Sequence, residues 1–159
     1  MAVDAFLKIG DLKGESIAKG FEGQIELLSW SWGMSQSGTT HRGTGGGAGK
    51  VNVQDLSIAK YVDTSSPNLV LACCNGKHFP EAVLTLRKAG EKPLNYLVIK
   101  LSEVIITSVS AGGSGGDEQI VESVSLNFAK FSYAYQAQDK AGAKSGGAIE
   151  VEYDIAANA

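Results

Sequence analysis

The feature that most constrains this chain is a long glycine-rich loop in the middle of a strand-like region. The loop runs from Ser35 to Lys50 and contains few apolar side chains, whereas the surrounding stretch from Gln24 to Val62 is rich in them. Loops of this length inside a compact domain are uncommon and are usually functional or disordered. Because the loop has too little apolar surface to bury itself, we expect a contact from outside this polypeptide to order it.

Length, charge and cysteine content narrow the class of protein. A chain of 159 residues forms one domain, 1–159, with a core that needs no disulfide support. A formal net charge of -3 and a pI of about 5.4 give no electrostatic reason to bind nucleic acid or an anionic membrane. Cys73 and Cys74 are adjacent, so they cannot join distant parts of the chain.

No apolar run is long enough for a signal peptide or a transmembrane helix. We therefore expect a protein that is made in the cytoplasm and does not insert into a membrane. Any export has to use a route that reads no signal peptide.

Alternating apolar and polar residues predict a mainly β fold. The predicted strands cover residues 3–9, 24–34, 51–62, 82–88, 96–109, 119–135 and 148–155. The alternation slips by one residue near Gln54–Asp55 and again between Phe128 and Phe131, as it does at a β-bulge. Because bulges let a sheet bend sharply, two slips favour a small closed β-barrel over a flat sandwich.

Two strands are predicted to have one packed face. In the strand from Gln24 to Met34 that face carries Leu28, Trp30, Trp32 and Met34, opposite Ser29, Ser31 and Gly33. In the last strand it carries Ile149, Val151, Tyr153 and Ile155. The run 104–106 is apolar on both faces, so it lies either under a helix or against another chain, and periodicity does not separate these alternatives.

One short α-helix is expected between the third and fourth strands. Ser66 is a suitable N-cap, Pro67 suits the first helical position, and Gly76 can adopt the left-handed conformation that ends a helix. Cys73 is expected to pack on the apolar stripe of this helix, whereas Cys74 is expected to be partly exposed and open to oxidation. The predicted architecture is a mainly β, small closed barrel with one short helix and one long extended loop.

The sequence predicts no catalytic residue and no cofactor. The glycine loop fails the phosphate-loop spacing, because Thr44 occupies the first glycine position and Val51 follows Lys50. The loose dinucleotide fingerprint at 43–48 leads into a strand rather than a helix. Ser114 has the letters of a hydrolase nucleophile elbow, but its loop also connects two strands.

A metal site is not expected either. The two histidines, His41 and His78, have no histidine or cysteine partner at zinc-ligand spacing. We therefore predict a protein that is not an enzyme.

Several sequence blocks, in order, resemble the haemolysin-coregulated protein (Hcp) family of bacterial type VI secretion. The blocks are residues 30–38, 45–57, 67–69, 76–78, 84–90 and 109–116. The resemblance runs from Met1 to about Gly147 and is looser beyond it. It implies a closed β-barrel with one helix, assembled into hexameric rings that stack into the expelled inner tube of the secretion apparatus.

The resemblance also implies partners and contact residues. Copies of the chain, small effectors carried in the ring channel, and the sheath and spike proteins of the apparatus are the implied partners. Channel-facing polar positions of the family match Ser31 and Ser114, which are the candidate effector-binding residues. The loop is implied to contact an adjoining subunit or ring through Ser35, Gln36, Ser37, His41, Arg42, Gly45, Gly46, Gly47 and Lys50.

The leading hypothesis is a structural tube component, also acting as an effector carrier, that is made in the cytoplasm and secreted without a signal peptide. The alternative from another class is a stand-alone barrel that binds a small ligand under its glycine loop. The third hypothesis, after these two, is that the protein is an enzyme.

Overall fold

The computed structural model describes residues 3–38, 50–90 and 92–159 of the chain. It contains eleven strands and one helix within these ranges. The strands are β1 (Val3–Ile9), β2 (Ile25–Glu26), β3 (Ser29–Ser31), β4 (Met34–Gln36), β5 (Val51–Val53), β6 (Leu56–Tyr61), β7 (His78–Lys88), β8 (Leu94–Gly112), β9 (Val121–Asn127), β10 (Lys130–Tyr135) and β11 (Ile149–Asp154), and the helix is α1 (Ser66–Asn75).

The strands form an antiparallel sheet that is arranged around β8. The hydrogen-bonded path is β2-β1-β7-β8-β9-β6-β3, while β4 and β5 form a separate two-stranded sheet. One edge of β8 pairs with β7. Along its other edge, residues 97–102 pair with β10 and residues 105–112 pair with β9. One long strand therefore supports two neighbours on the same side.

Residues 25–31 join the two ends of this path. β2 pairs with β1, β3 pairs with β6, and the short connection between them bonds to both strands. The Leu27 N–H donates to the Ala5 carbonyl at 3.0 Å, and the next N–H, that of Leu28, donates to the Ala59 carbonyl at 2.8 Å. Hydrogen bonds thus continue from one edge strand to the other, and the predicted β-barrel fold class is confirmed.

The barrel interior is filled by aliphatic side chains from every long strand. Leu7, Ile9, Leu56, Leu84, Ile99 and Leu126 are among its fully buried members. Val104 and Ile106 also face the core, and α1 packs on β8, the strand that carries them. Glu103, with φ 56°, inverts the side-chain alternation just before Val104. The inversion moves the core-facing positions of β8 from Leu101 to Val104 and Ile106, and Ile105, between these two, is half-buried on the opposite face.

The predicted strand from Gln24 to Met34 is broken into three pieces. β2 and β3 lie at opposite ends of the barrel path, and β4 leaves the barrel to pair with β5. As a result, Leu28 and Met34 are 50% and 46% exposed, so the expected packed face is wrong at both positions. Trp30 and Trp32 are half-buried against the core.

The two slips in alternation mark changes of partner rather than bulges within one strand. At Gln54–Asp55 the chain passes from the β4–β5 sheet into the barrel strand β6. At Phe128 it passes from β9, which pairs with β6 and β8, to β10, which pairs with β8 and β11. The register shifts lie elsewhere, at Leu86/Arg87 and at Ile106/Ser108.

The last strand and the helix start also differ from the prediction. Ile149 and Val151 are 70% and 58% exposed, so β11 does not turn them into the core. Ser65, not Ser66, is the N-cap of α1, and its side chain makes no capping hydrogen bond. Ser66 is the first residue of the helix, and its hydroxyl bonds to the buried Lys60 and Glu122. Gly76 adopts the left-handed conformation with φ 67°, as the sequence predicts.

Candidate functional site

An apolar groove lies between the β4–β5 hairpin and the strands β10 and β11. Its volume is about 620 Å³. The lining residues are Trp32, Gly33, Met34, Gln36, Val51, Val53, Phe131, Tyr133, Val151, Glu152 and Tyr153. Among these residues Glu152 alone is charged, so the groove presents mainly aromatic and aliphatic atoms to its occupant.

Trp32 fixes one wall of this apolar groove. Its indole N–H donates to the Gln54 carbonyl at 2.9 Å, which holds the ring across the junction between β5 and β6. The same ring meets Phe131 edge-on at 4.9 Å between centroids and lies beside Tyr133 at 6.3 Å. These contacts attach the Trp32 ring to β10, so the ring forms a wall of the apolar groove.

Exposed apolar side chains extend the groove along β10 and β11. Tyr133 is paired with Val151, and Tyr135 with Ile149, across the two strands. These four side chains are between 37% and 70% exposed. Contiguous exposed apolar surface of this kind marks an interaction site in soluble proteins. The groove and its extension are therefore a candidate assembly surface.

A second face of the barrel is polar and made of small side chains, and we call it the serine face. One row crosses four paired strands through Ser31, Ser57, Ser125 and Ser108, and a second row contains Ser29, Ala59, Ser123 and Ser110. The Ser108 hydroxyl donates to the Ser125 hydroxyl at 2.8 Å. Short hydroxyl side chains bind water and give little apolar surface, so this face is hydrated and not adhesive.

The two candidate effector-binding residues lie on or beside the serine face. Ser31 is exposed in its first row. Ser114 follows directly after β8, the strand that carries Ser108 and Ser110, and it is exposed. Its N–H donates to a carboxylate oxygen of Asp117 at 2.9 Å, and its hydroxyl makes no hydrogen bond to a described residue.

The candidate loop contacts fall into two groups. Ser35 and Gln36 are exposed in β4, Ser37 and Lys50 are exposed beside the hairpin, and Gln36 also lines the apolar groove. The remaining candidates, His41, Arg42, Gly45, Gly46 and Gly47, lie outside the described residues.

Most residues of the serine face were not identified from the sequence. Five of its members, Ser57, Ser108, Ser110, Ser123 and Ser125, are spread over three strands. The local signal is the alternation Ser108-Val109-Ser110 and Ser123-Val124-Ser125, which places each serine pair on one side of its strand. Only the register between strands shows that these pairs are neighbours.

Within the ranges 3–38, 50–90 and 92–159 there is no group of three or more histidine, cysteine or acidic side chains placed to hold a metal ion. In the same part of the chain no helix is long and apolar enough to span a membrane.

The fold defines a small, mainly β protein with one apolar and one polar exposed face. Residues 6–135 match the family model described as "Type VI secretion system effector, Hcp". The chain is 57% identical over 159 residues to "Protein hcp1" of Pseudomonas aeruginosa, covering 99% of this chain and 98% of that protein. The chain belongs to the Hcp family, and it is a structural tube component of a type VI secretion system.

Solved structures of secretion proteins share the fold. The crystal structure of Hcp1 from Salmonella typhimurium superposes with a TM-score of 0.81 at 38% identity, over 100% of this chain and 99% of that chain. A structure described as a type six secretion system protein gives a TM-score of 0.93 at 26% identity, over 99% of each chain. The resemblance drawn from the sequence blocks is thereby confirmed.

Proposed function

We propose that six copies of this chain close into a ring with a central channel, and that the rings stack into the inner tube. The chain is made in the cytoplasm and leaves the cell through the apparatus, where it contacts the sheath and spike proteins. Small effectors travel in the channel. The ring and the carrier role are both drawn from the family, and each is supported by one exposed face of the barrel.

The exposed apolar groove is the main observation in favour of a ring of identical subunits. A closed ring of identical subunits needs two different, complementary surfaces on each copy. The groove, with Tyr135 and Ile149 beyond it, is one apolar surface that residues 3–38, 50–90 and 92–159 leave uncovered. Burying such surface contributes about 25 cal/mol per Å² of apolar area. The occupant that fits the proposal is a segment of the neighbouring copy.

The Ser35–Lys50 loop is proposed as a further contact with an adjoining subunit or ring. Its two flanks form the β4–β5 sheet, which stands apart from the barrel path and borders the apolar groove. We expect deletion of residues 43–47 to leave the barrel folded and to abolish stacking or secretion. Circular dichroism and secretion from the parent strain measure the two effects separately.

The serine face supports the carrier role. A cargo channel has to be hydrated and release its contents, which favours short polar side chains over an apolar wall. Ser31 lies in the serine face and Ser114 lies at its edge. We propose that this face lines the channel and that these two residues contact effectors.

A stand-alone binding module remains the second candidate, because the groove volume lies within the range of small-molecule pockets, about 300–1,000 Å³. The molar mass from light scattering after size-exclusion chromatography distinguishes a ring from a stand-alone binding module. A ring has six times the 16.6 kDa mass of one chain, whereas a binding module has the mass of one chain.

Two valine variants test whether the apolar groove is the interface between subunits of the ring. Val151→Glu places a charge in the apolar groove, whereas Val70→Glu places the same charge on the outer side of α1, where valine is similarly exposed. We expect Val151→Glu to give monomers and Val70→Glu to give rings. If Val151→Glu also gives rings, the groove is not the ring interface.

The carrier role is tested with Ser57→Lys, which introduces a long charged side chain into the serine face. Asn68→Lys, on the exposed side of α1, is the matched control. Both variants are expected to form rings, and Ser57→Lys alone is expected to lose the small proteins that copurify with rings from the parent strain. Equal copurification with both variants would contradict the channel assignment.

A further inference from the structure

The serine face is bordered at one end by the carboxylate of Asp55. This residue lies two positions before Ser57 in the chain. In the paired strand β9, Asn127 lies two positions after Ser125 and points to the same side. One carboxylate oxygen of Asp55 accepts the Asn127 amide N–H at 2.9 Å, and the other accepts the Thr107 hydroxyl at 2.7 Å. Donors from β8 and β9 therefore hold the carboxylate at the edge of the serine face.

The Asp55 carboxylate retains acceptor positions for a partner. An ionised carboxylate has about four such positions, and the two hydrogen bonds occupy two of them. Both donors are neutral side chains, so they orient the carboxylate without cancelling its charge. In the described part of the chain Asp55 forms no ion pair. A cation from outside the subunit can therefore bind it.

The serine face has no cation of its own near Asp55. Among the described residues of β3, β6, β9 and the second half of β8, 105–112, Lys60 is the only lysine or arginine. Lys60 is fully buried and lies 2.5 Å from the Glu122 carboxylate, on the opposite side of the sheet from the serines. Asp117 and Glu118 are exposed in the loop that follows Gly112. Acidic residues thus lie beyond both ends of the serine rows.

Closure of a ring would repeat this arrangement around one channel. Under the proposed function the serine face lines the channel, so each of the six copies would place its Asp55 at an equivalent position. Like charges that surround a common channel add to one potential, as acidic rings do in cation-selective channels. The potential at this level of the channel would be negative and would attract cationic groups.

We propose that Asp55 determines which effectors the channel accepts, and that it favours effectors with an exposed segment rich in lysine or arginine. The inference rests on the proposed channel. A cationic side chain would bind the free acceptor positions of the carboxylate through charge-assisted hydrogen bonds. An acidic segment would meet like charge at the same place, which disfavours it.

Asp55→Asn removes the charge and can keep the local hydrogen bonds. Thr107 Oγ1 also lies 3.1 Å from the Ser125 carbonyl oxygen, so its hydroxyl can donate there and accept the new amide N–H. The Asn127 amide can still donate to the remaining side-chain oxygen. Asp11→Asn is the matched control, because it makes the same change in net charge at an exposed position in a cleft beside α1.

Fluorescence anisotropy on purified rings measures the preference for charge. The probes are a labelled peptide of alternating lysine and serine and a labelled peptide of equal length with glutamate in place of lysine. The salt is about 0.01 M or about 1 M, where the screening length is roughly 30 Å or roughly 3 Å. Light scattering shows whether each variant is a ring, and circular dichroism shows whether it is folded.

We expect wild-type and Asp11→Asn rings to bind the lysine peptide in low salt, to release it in high salt, and to bind the glutamate peptide weakly. Asp55→Asn rings should bind the lysine peptide at least about fivefold more weakly, the factor for losing one pair of opposite unit charges about 4 Å apart in water.

Three results would overturn the proposal. They are equal binding of both peptides by wild-type rings, binding that salt does not change, and equal binding of the lysine peptide by Asp55→Asn and Asp11→Asn. Monomeric or unfolded Asp55→Asn would overturn it too, because Asp55 would then serve assembly or folding. Monomeric wild type contradicts the ring and its channel, whereas wild-type rings without a preference contradict only the role of Asp55.

Discussion

Lys60 Nζ lies 2.5 Å from Oε1 of Glu122, its cross-strand partner, and both side chains are almost completely buried. The same carboxylate oxygen accepts the Ser66 hydroxyl at 2.7 Å, and Asp63 lies 3.0 Å from the ammonium group. Since Ser66 begins α1, this buried cluster joins the helix to β6 and β9. The cluster positions α1 against the wall of the barrel.

Removing one member of this pair should be far more harmful than removing both. Lys60→Met leaves the Glu122 carboxylate buried without its cation, and we expect a loss of about 3–5 kcal/mol in the free energy of unfolding. Lys60→Met/Glu122→Leu removes both charges and is expected to lose less than the single variant. Urea unfolding at one fixed protein concentration measures each value, since assembly also affects apparent stability.

The coupling in this double-mutant cycle is the decisive quantity. If the double variant is less stable than Lys60→Met by the full cost of Glu122→Leu, the two charges act independently. The interaction inferred from their distance would then be contradicted.

Gly76 ends α1 in a conformation that residues with a β-carbon adopt at a cost. Its φ is 67°, and no atom lies within 4 Å of the position of an added Cβ. The expected cost of Gly76→Ala is therefore conformational, about 1–2 kcal/mol. Gly112→Ala is the control, because this glycine also has open space and lacks a positive φ. Thermal unfolding should show a lower Tm for Gly76→Ala alone, and equal values would exclude the conformational cost.

The sequence was most informative where alternation and local signals act within one segment. The strand from Val3 to Ile9 and the Gly76 helix end were predicted correctly, because residue spacing and backbone conformation are local properties. Leu28 and Ile149 were misplaced for the opposite reason. Alternation shows which residues share a face, but it does not show whether another strand covers that face.

Prediction of the serine face and of the apolar groove from the sequence was limited in the same way. Ser31 was reached through the resemblance, whereas Ser57 and Ser125 join it only through the pairing of β3, β6 and β9. Pairing between strands depends on residues far apart in the chain. The apolar groove was missed because Val151 was assigned to the core, although its alternation was recognised.

The turn at 20–22 gives a prediction about pH. The Gly20 N–H donates to the Glu22 carboxylate at 2.9 Å, and this bond is the main reason that the pKa of Glu22 lies below its ordinary value of 4.5. The Glu22 backbone N–H and the nearby Lys19 also lower the pKa. A lowered pKa in the folded state means that the ionised group favours folding above pH 4.5, and that this contribution is lost as pH falls through the folded pKa.

An NMR titration of the Glu22 side-chain carboxyl carbon measures this directly. We expect a midpoint below 4.5 in the folded protein and the ordinary value in urea. Glu22→Gln should remove the corresponding part of the acid dependence of stability. A folded-state midpoint at or above 4.5 would show that the turn does not hold the carboxylate.

Arg87 attaches the segment between β1 and β2 to the barrel. Its guanidinium carbon lies 5.1 Å from the Phe6 ring centre and 5.2 Å from that of Phe21, and the two rings stack at 4.3 Å. The guanidinium also pairs with Asp4 at 3.2 Å. Phe21 belongs to the connecting segment, whereas Phe6 and Arg87 belong to β1 and β7. One flat cation therefore links three parts of the chain.

Arg87→Lys keeps the positive charge but loses the planar group that lies against the rings and forms the Asp4 pair. We expect a loss of about 0.5–1 kcal/mol in the free energy of unfolding, the size of a partly exposed cation–π contact. Hydrogen exchange should increase most at residues 18–23, because Phe21 loses its cover. Lys88→Arg, on the next residue, is the control for a lysine–arginine exchange at this site. Unchanged exchange in Arg87→Lys would mean that Phe21 is held by the Phe6 ring alone.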